Sequence, residues 1–380
     1  MKSNRAIAIA RPKLGLAEWE AVKGPITSGW VTQGIRVRRF ERAFAKRHQA
    51  SYAFAVSNCT AALHLALTAL GIKRGDEVLA PAFSWVATAN AVEYCGAKPV
   101  FVDINLSTFN IDPAKIKGKI TLRTKAVIVV HLFGLSADLD AIRRVAPQLT
   151  LIEDAACAAG SFYKGKPVGC LGEIGCFSFH PRKVVTTGEG GMLTTNDKKL
   201  AKMIEMLRNH GASVSEEKRH RDAKPWDLSK FNILGYNYRM TDIQGAIGLV
   251  QIKKLDAFIK ERDKWAGYYQ DKLSDLEWLT TPKIPQGFKN NWQSFVCMVD
   301  ERKSPYTRNK IMEILLRKGI ATRPGTHAIH LLGFYRKKYI LKPSDYPNAY
   351  RADKYSMAIP LHNTMSKDDY DYVIAALHSL

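Results

Sequence analysis

AVIVVHLFGLSADLDAIRRVAPQLTLIEDAA, residues 126–156, decides the fold class. The stretch begins with an apolar run typical of a strand buried on both faces, and it ends with a second such run at 149–156. Between them lies the pattern of an amphipathic helix, whose N-terminus Ser136 or Asp138 can cap. A strand, a helix and a strand in this order predict a βαβ unit with parallel strands.

The same alternation extends towards the N-terminus. KPVFVDI (98–104) and GDEVLAPAFSW (75–85) have strand patterns, the second strand ending at Pro81, and helical patterns precede and separate them. We therefore expect an α/β fold with a mostly parallel central sheet flanked by helices.

Beyond residue 195 the pattern changes. A helical pattern of about thirty residues begins at Thr241, and SFVCMVD (294–300), nearer the C-terminus, has the pattern of a strand. We predict a large domain at 1–250, which includes an N-terminal arm, and a smaller C-terminal α/β domain at 251–380.

Composition bounds the class of protein. With 380 residues, of which 46% are hydrophobic, the chain can bury a large core and is neither disordered nor fibrous. Lys and Arg number 57 against 35 Asp and Glu, which gives a net charge of +22. Such an excess is compatible with nucleic acid, an anionic membrane surface or anionic small substrates as partners.

The six cysteines form no CxxC pair and no zinc pattern, so we expect no metal site. Sparse cysteines without a pattern favour a reducing cytoplasm. The apolar run Ala6–Ala10 is too short for the core of a signal peptide, and we expect no membrane-spanning segment.

The segment GCFSFHPRKVVTTGEGGMLTT, residues 175–195, is the most informative one for chemistry. It has the pattern of a strand, a polar turn that contains Lys183, and a glycine-rich corner that leads into another strand. A lysine in such a turn can be held partly out of water, and a neutral amine attacks an aldehyde to form a Schiff base. A surface lysine in a turn is the plain alternative.

Two carboxylates end the strand in LIEDAACA (151–158): Glu153 and Asp154. Ligand sites in parallel sheets lie at the carboxyl ends of strands. In pyridoxal phosphate enzymes an Asp partners the ring nitrogen there. The alternative is an Asp that only caps the next turn.

Two further segments fit a cofactor site. SNCTAALHLAL (57–67) places small polar residues at a helix start, where backbone N–H groups bind phosphate. Trp85, in PAFSWVATAN (81–90), could stack on a flat ring or belong to the core.

Together these segments resemble the DegT/DnrJ/EryC1/StrS family of pyridoxal-phosphate-dependent sugar aminotransferases. The matching stretches run in the family's order from about residue 27 to 256, with weaker similarity beyond, and they include VSNCTAALHLALTALGIKRGDEVLAPAFSWVATANAVEYCGAKPVFVDI, LIEDAACAAGS, GCFSFHPRKVVTTGEGGMLTT and LGYNYRMTDIQGAIGLVQIKKLD. The resemblance implies the fold-type I architecture of aspartate aminotransferase. It also implies pyridoxal 5'-phosphate as the cofactor, pyridoxamine 5'-phosphate as its intermediate form, and a homodimer with shared active sites.

The resemblance also assigns roles. Lys183 matches the lysine that holds the cofactor and moves protons, and Asp154 matches the partner of the ring nitrogen. The other matches are Cys59, Thr60 and Ala61 in the phosphate-binding turn, Ser178 as a second phosphate contact, Trp85 as the stacking ring, and Asn237 as a residue that reaches the phosphate of the neighbouring subunit.

Three points depart from this pattern or go beyond it. The family often has Gln at position 157, where it contacts the phenolic oxygen of the cofactor; Cys157 is a weaker donor. In the C-terminal part, His327 is a candidate substrate contact, with a structural histidine as the alternative. Arg239 is a second candidate for binding the substrate.

The expected reaction moves an amino group from L-glutamate to a keto nucleotide sugar. The wording of residues 177–191 resembles members that act at C4 of a 4-keto-6-deoxy sugar. Relatives with His in place of the lysine are sugar dehydratases, and that alternative stays open beside a nucleic-acid-binding role suggested by the charge. No motif for binding nucleic acid occurs, so we expect no such partner.

Overall fold

The computed structural model describes residues 6–213, 226 and 230–380. The helices are α1 (Leu16–Ser28), α2 (Ile35–His48), α3 (Cys59–Ala69), α4 (Ala87–Tyr94), α5 (Leu139–Val145), α6 (Lys198–Leu207), α7 (Asp242–Lys272), α8 (Arg308–Arg317), α9 (Gly333–Tyr339), α10 (Pro347–Tyr355) and α11 (Lys367–His378). The predicted charged loop at 213–230 lies almost entirely outside the described residues.

The strands fall into one large sheet and three small ones. They are β1 (Tyr52–Val56), β2 (Glu77–Pro81), β3 (Phe83–Ser84), β4 (Lys98–Val102), β5 (Thr124–Val130), β6 (Thr150–Asp154), β7 (Phe162–Tyr163), β8 (Lys166–Pro167), β9 (Ile174–Ser178), β10 (Gly191–Thr195), β11 (Leu279–Thr280), β12 (Phe288–Lys289), β13 (Phe295–Val299), β14 (His327–Ala328) and β15 (Ser356–Ile359).

The large sheet has seven strands in the order β1-β10-β9-β6-β5-β2-β4. The pairs β2–β4, β2–β5, β5–β6 and β6–β9 are parallel, whereas β10 is antiparallel to both its neighbours. The predicted βαβ unit is present, with Asp138 rather than Ser136 as the cap of α5. The mostly parallel sheet is therefore confirmed.

Both faces of this sheet are buried, as the apolar runs predict. Alternate side chains of one strand face opposite sides. In β6, Ile152 joins the core formed with α3, α4 and α6, while Leu151 joins the core formed with α2, α5 and α7. Glu153 and Asp154, the next two residues of β6, thus point to different sides of the sheet.

A second sheet, β11-β13-β15, is antiparallel and belongs to the C-terminal part of the chain. Its core contains Phe295, Ile311 of α8 and Tyr370 of α11. The long helix α7, which Thr241 caps through the amide of Gln244, contributes to this core and to that of the large sheet. The boundary proposed at 250/251 falls inside α7, and the domain division stays a prediction.

Among the residues described, no helix is both long enough and apolar enough to cross a lipid bilayer.

Candidate active site

Lys183 lies in the turn that follows β9. Its amide donates to the carbonyl of His180 at 2.8 Å, and the next amide, that of Val184, donates to Oε1 of Gln293 at 3.1 Å. Both bonds fix the turn, so the half-buried side chain has a defined direction. Nζ of Lys183 lies 3.1 Å from Sγ of Cys157, the residue that departs from the family pattern.

Asp154 ends β6 and is only 4% exposed. Its Oδ2 accepts from the hydroxyl of Thr88 at 2.8 Å, and its Oδ1 accepts from the amide of Ala156 at 3.2 Å. Burial raises the pKa of Asp154 above its usual value, although these two bonds and the charges of Lys183 and His131 act in the opposite direction. In the described part of the chain, no basic group forms an ion pair with Asp154.

Glu153 has the opposite environment on the other side of the sheet. Its carboxylate accepts from the amides of Gly169 (2.6 Å), Leu171 (2.7 Å) and Gly172 (2.5 Å) and contacts Nε2 of His131 at 2.9 Å. Burial acts to raise the pKa of Glu153, but His131 and the amides outweigh it and lower the pKa. Glu153 is therefore an ionised residue that holds the fold rather than part of the site.

Replacing Glu153 by Gln is expected to destabilise the protein by about 3–5 kcal/mol, because a neutral amide cannot satisfy the same donors. A lowered pKa contributes stability above the ordinary Glu value of about 4.3, which is lost as the pH falls through the folded-state pKa. Urea unfolding should therefore show the largest difference from wild type at neutral pH and a smaller one in acid. The exposed Glu20→Gln serves as the control, and a pH-independent difference would contradict the role given to Glu153.

The predicted phosphate-binding turn lies at the N-terminus of α3. Asn58 caps this helix, and its Oδ1 accepts from the amide of Ala61 at 2.9 Å. The amide of Ala61 is thus already used. Within the described chain, the amide hydrogens of Cys59 and Thr60 have no acceptor, so these two remain available to a phosphate.

The glycine-rich corner approaches this turn closely. A side-chain carbon at Gly191 would lie 2.5 Å from the backbone of Asn58, so only glycine fits there. Gly191 pairs with Ser178 across β9 and β10, which brings the hydroxyl of Ser178 beside the turn.

Electrostatics shows that these segments share one site. Burial raises the pKa of the Cys59 thiol well above its usual value, Asp154 raises it further, and Lys183 opposes this effect. The helix start, the strand end and the lysine turn therefore lie within range of one another's charges.

Trp85 and His327 lie together at the entrance. Trp85 is 59% exposed, and its ring centroid lies 5.5 Å from that of His327. The pairing of β3 with β14 places His327 opposite Ser84. His327 lies in a short strand and His330 in a single 3₁₀ turn, so the two do not share a helix face.

Asn237 and Arg239 lie on a segment next to the phosphate-binding turn. The amide of Ser57 donates to the carbonyl of Tyr238 at 2.8 Å, and Nη1 of Arg239 donates to Oδ1 of Asn209 at 2.6 Å. Asn237 is exposed. Its reach into a neighbouring subunit stays a prediction.

Two residues of the site were missed by sequence reasoning. Thr88 lies three positions after Trp85 in the first turn of α4, and its hydroxyl holds Asp154 and contacts Ser84 at 3.1 Å. The strand–helix junction at 81–90 carried a signal for Thr88, a small hydroxyl residue in a buried first turn. Arg323, a buried arginine near Lys183, lies too far along the chain from the other site residues for a local motif to show it.

The sequence model of the DegT/DnrJ/EryC1/StrS aminotransferase family matches residues 12–378. The chain belongs to this family. It is 40% identical over 375 residues to GDP-perosamine synthase of Caulobacter vibrioides, covering 98% of this chain and 97% of that protein. It is 39% identical over 382 residues to the spore coat polysaccharide biosynthesis protein SpsC of Bacillus subtilis, covering 100% and 98%.

Solved structures of DegT/DnrJ/EryC1/StrS proteins have the same architecture. A putative sugar aminotransferase, Spr1654 of Streptococcus pneumoniae, has been solved in a PLP form with a TM-score of 0.90 and in a PMP form with a TM-score of 0.91. Each is 27% identical to this chain and covers 98% of both chains. The fold class is thus confirmed, and the chain is a pyridoxal-phosphate-dependent sugar aminotransferase.

The residues present fit this cofactor. Lys183 supplies an amine for the aldehyde, the buried carboxylate of Asp154 suits a protonated ring nitrogen, and the amides of Cys59 and Thr60 suit a phosphate. A cationic partner would also offset the cost of burying Asp154.

Proposed function

We propose that this enzyme transfers the amino group of L-glutamate to the C4 keto group of a 4-keto-6-deoxy nucleotide sugar by ping-pong transamination. The observation that carries the proposal is the position of the Lys183 amine, within the electrostatic range of the buried carboxylate of Asp154 and 3.1 Å from Cys157. In dehydratase relatives a histidine takes the place of this lysine. An amine at this position favours transamination.

Each residue of the chain has a separate task in this proposal. When bound, pyridoxal phosphate supplies the electron sink and carries the amino group as pyridoxamine phosphate. Lys183 moves the proton at the reacting carbon. Asp154, oriented by Thr88, holds the proton on the ring nitrogen, and Trp85 packs on the face of the ring.

The phosphate-binding group consists of the amides of Cys59 and Thr60 together with the hydroxyl of Ser178. Cys157 stands where a glutamine would contact the phenolic oxygen. Since a thiol donates only weakly, this contact is weaker here than in the family pattern, or it is made by another group.

The proposal includes a homodimer with shared active sites. Large apolar side chains are exposed on the segment that carries Asn237: Leu234 is 86% exposed and Phe231 59%. Neighbouring exposed apolar side chains of this size favour a protein interface. The partner would then bring Asn237 and Arg239 to the substrate and phosphate of the neighbouring site.

The proposal also places the enzyme in the cytoplasm. All six cysteines are free thiols in the structure, as a reducing compartment requires. We expect the positive charge to attract the anionic nucleotide sugar rather than nucleic acid.

A product assay tests the reaction. The holoenzyme is given L-glutamate and a panel of GDP- and TDP-linked keto sugars, and the products are analysed by mass spectrometry. We expect an amino sugar and 2-oxoglutarate in equal amounts, with parallel lines in double-reciprocal plots, because the amino group leaves one substrate before the other binds. NMR of the product then assigns the aminated carbon.

Other products would overturn the proposal in different ways. A deoxygenated sugar without nitrogen would favour the dehydratase, and an amino group at C3 would refute the proposed position. Lines that intersect would exclude the ping-pong order.

A further inference from the structure

Arg323 is a buried cation without an anionic partner in the described part of the chain. Its backbone is fixed, since its carbonyl accepts from the amide of Ala358 in β15 at 2.8 Å. Its Nε is buried and has no hydrogen-bond partner. Over residues 6–213 and 230–380, no carboxylate lies within ion-pair distance of its guanidinium. Such a group is costly to bury unless an anion completes it.

The guanidinium of Arg323 lies beside the active-site lysine. The Cys157 thiol is close enough to act on Arg323 electrostatically, and the same thiol lies 3.1 Å from Nζ of Lys183. Arg182, the residue before Lys183, also acts on Arg323. Its side chain is exposed and has no ion-pair partner within the described ranges.

These cations repel one another. Burial lowers the pKa of Arg323, the charge of Arg182 lowers it further, and Cys157 opposes this effect. His180 completes the group, and the carboxylate nearest to it, Glu189, is 3.9 Å away. A cluster of this kind is stable when an anion sits between the charges.

We propose that Arg323 and Arg182 form a carboxylate-binding site next to Lys183, which receives a carboxylate of the amino donor. The proposal rests on the proposed function and deepens it by giving the donor a binding residue. A guanidinium binds a carboxylate through two parallel hydrogen bonds, and the free Nε of Arg323 is one of the two donors that this geometry needs. The cofactor phosphate has its own candidate site at Cys59 and Thr60.

A binding measurement tests the site without turnover. Glutarate, a dicarboxylate that cannot react, is titrated calorimetrically into the holoenzyme, and glutaramide, which is uncharged and of similar size, serves as the comparison ligand. We expect Arg323→Gln to weaken glutarate binding by about 10- to 100-fold, which is the loss of a charged hydrogen-bond pair. Arg302→Gln, an exposed arginine paired with Asp300, should bind glutarate like wild type.

The half-reactions separate this site from a site for the sugar. With L-glutamate, Arg323→Gln should need about 10- to 100-fold more donor for half-maximal conversion of the cofactor absorbance, whereas the half-reaction with the keto sugar should be unchanged. Arg323→Lys, which keeps the charge without the planar fork, should lie between the two. If Arg323→Gln does not fold, Arg182→Gln should still weaken glutarate binding by about 2- to 5-fold.

Wild-type glutarate affinity in both variants would overturn the proposal. So would a loss confined to the sugar half-reaction, which would assign the arginines to the nucleotide diphosphate. Failure of the proposed function appears differently, as wild-type enzyme that L-glutamate does not convert at all.

Discussion

Replacing Lys183 by Ala is expected to abolish both the covalent attachment of the cofactor and measurable turnover. Loss of proton transfer alone costs about 10²- to 10⁴-fold in rate, and the loss of the amine that attacks the aldehyde adds to it. Wild type should lose its visible absorbance band on treatment with borohydride, and peptide mass spectrometry should find the label on Lys183. The variant should carry no label.

The structure separates chemistry from stability in this test. The Lys183 amine contacts Sγ of Cys157, a weak acceptor, and the turn is fixed by backbone bonds that alanine preserves. The melting temperature of the apoprotein should therefore stay close to that of wild type. Lys303→Ala, which removes an exposed lysine paired with Glu277, is the matched control. A label on another lysine, or turnover within tenfold of wild type, would refute the assignment.

The architecture of the large sheet could be predicted because buried parallel strands have a simple signature. Runs such as AVIVV (126–130) and LTLI (149–152) are apolar on both faces, and turn residues mark their ends. The C-terminal part was harder to predict, since its strands are only two to five residues long. The boundary at 250/251 also fell within α7, because one continuous helix serves two cores.

The strand end at Glu153 and Asp154 shows the limit within the site. Sequence placed two carboxylates at one strand end, but their roles depend on what lies on each side of the sheet. On one side, a loop supplies amides to Glu153; on the other, Thr88 supplies a single hydroxyl to Asp154. Neither partner is adjacent in sequence, so no local pattern could distinguish the two carboxylates. Arg323 was missed for the same reason.

Replacing Asp154 by Asn is expected to lower turnover by about 10²- to 10³-fold, the usual loss when one preorganised electrostatic group is removed. An amide cannot hold a proton on the ring nitrogen by its charge, so the electron sink is weakened. Lys183 remains, so the cofactor should still be labelled by borohydride. Single-turnover absorbance measurements with L-glutamate would locate the loss in the chemical step.

The same substitution should have opposite effects on the stability of the apoprotein and the holoenzyme. The pKa of Asp154 is raised by burial, so ionisation destabilises the apoprotein above the usual Asp pKa of about 3.9, and the effect vanishes below it. Asn should therefore raise or preserve the melting temperature of the apoprotein at pH 7, while the holoenzyme loses its ion pair and melts earlier. Thr88→Val, which removes the hydroxyl at 2.8 Å from Oδ2 and keeps the charge, should give a much smaller loss of turnover. Near-normal turnover in Asp154→Asn, or an equal loss of stability with and without cofactor, would remove Asp154 from this role.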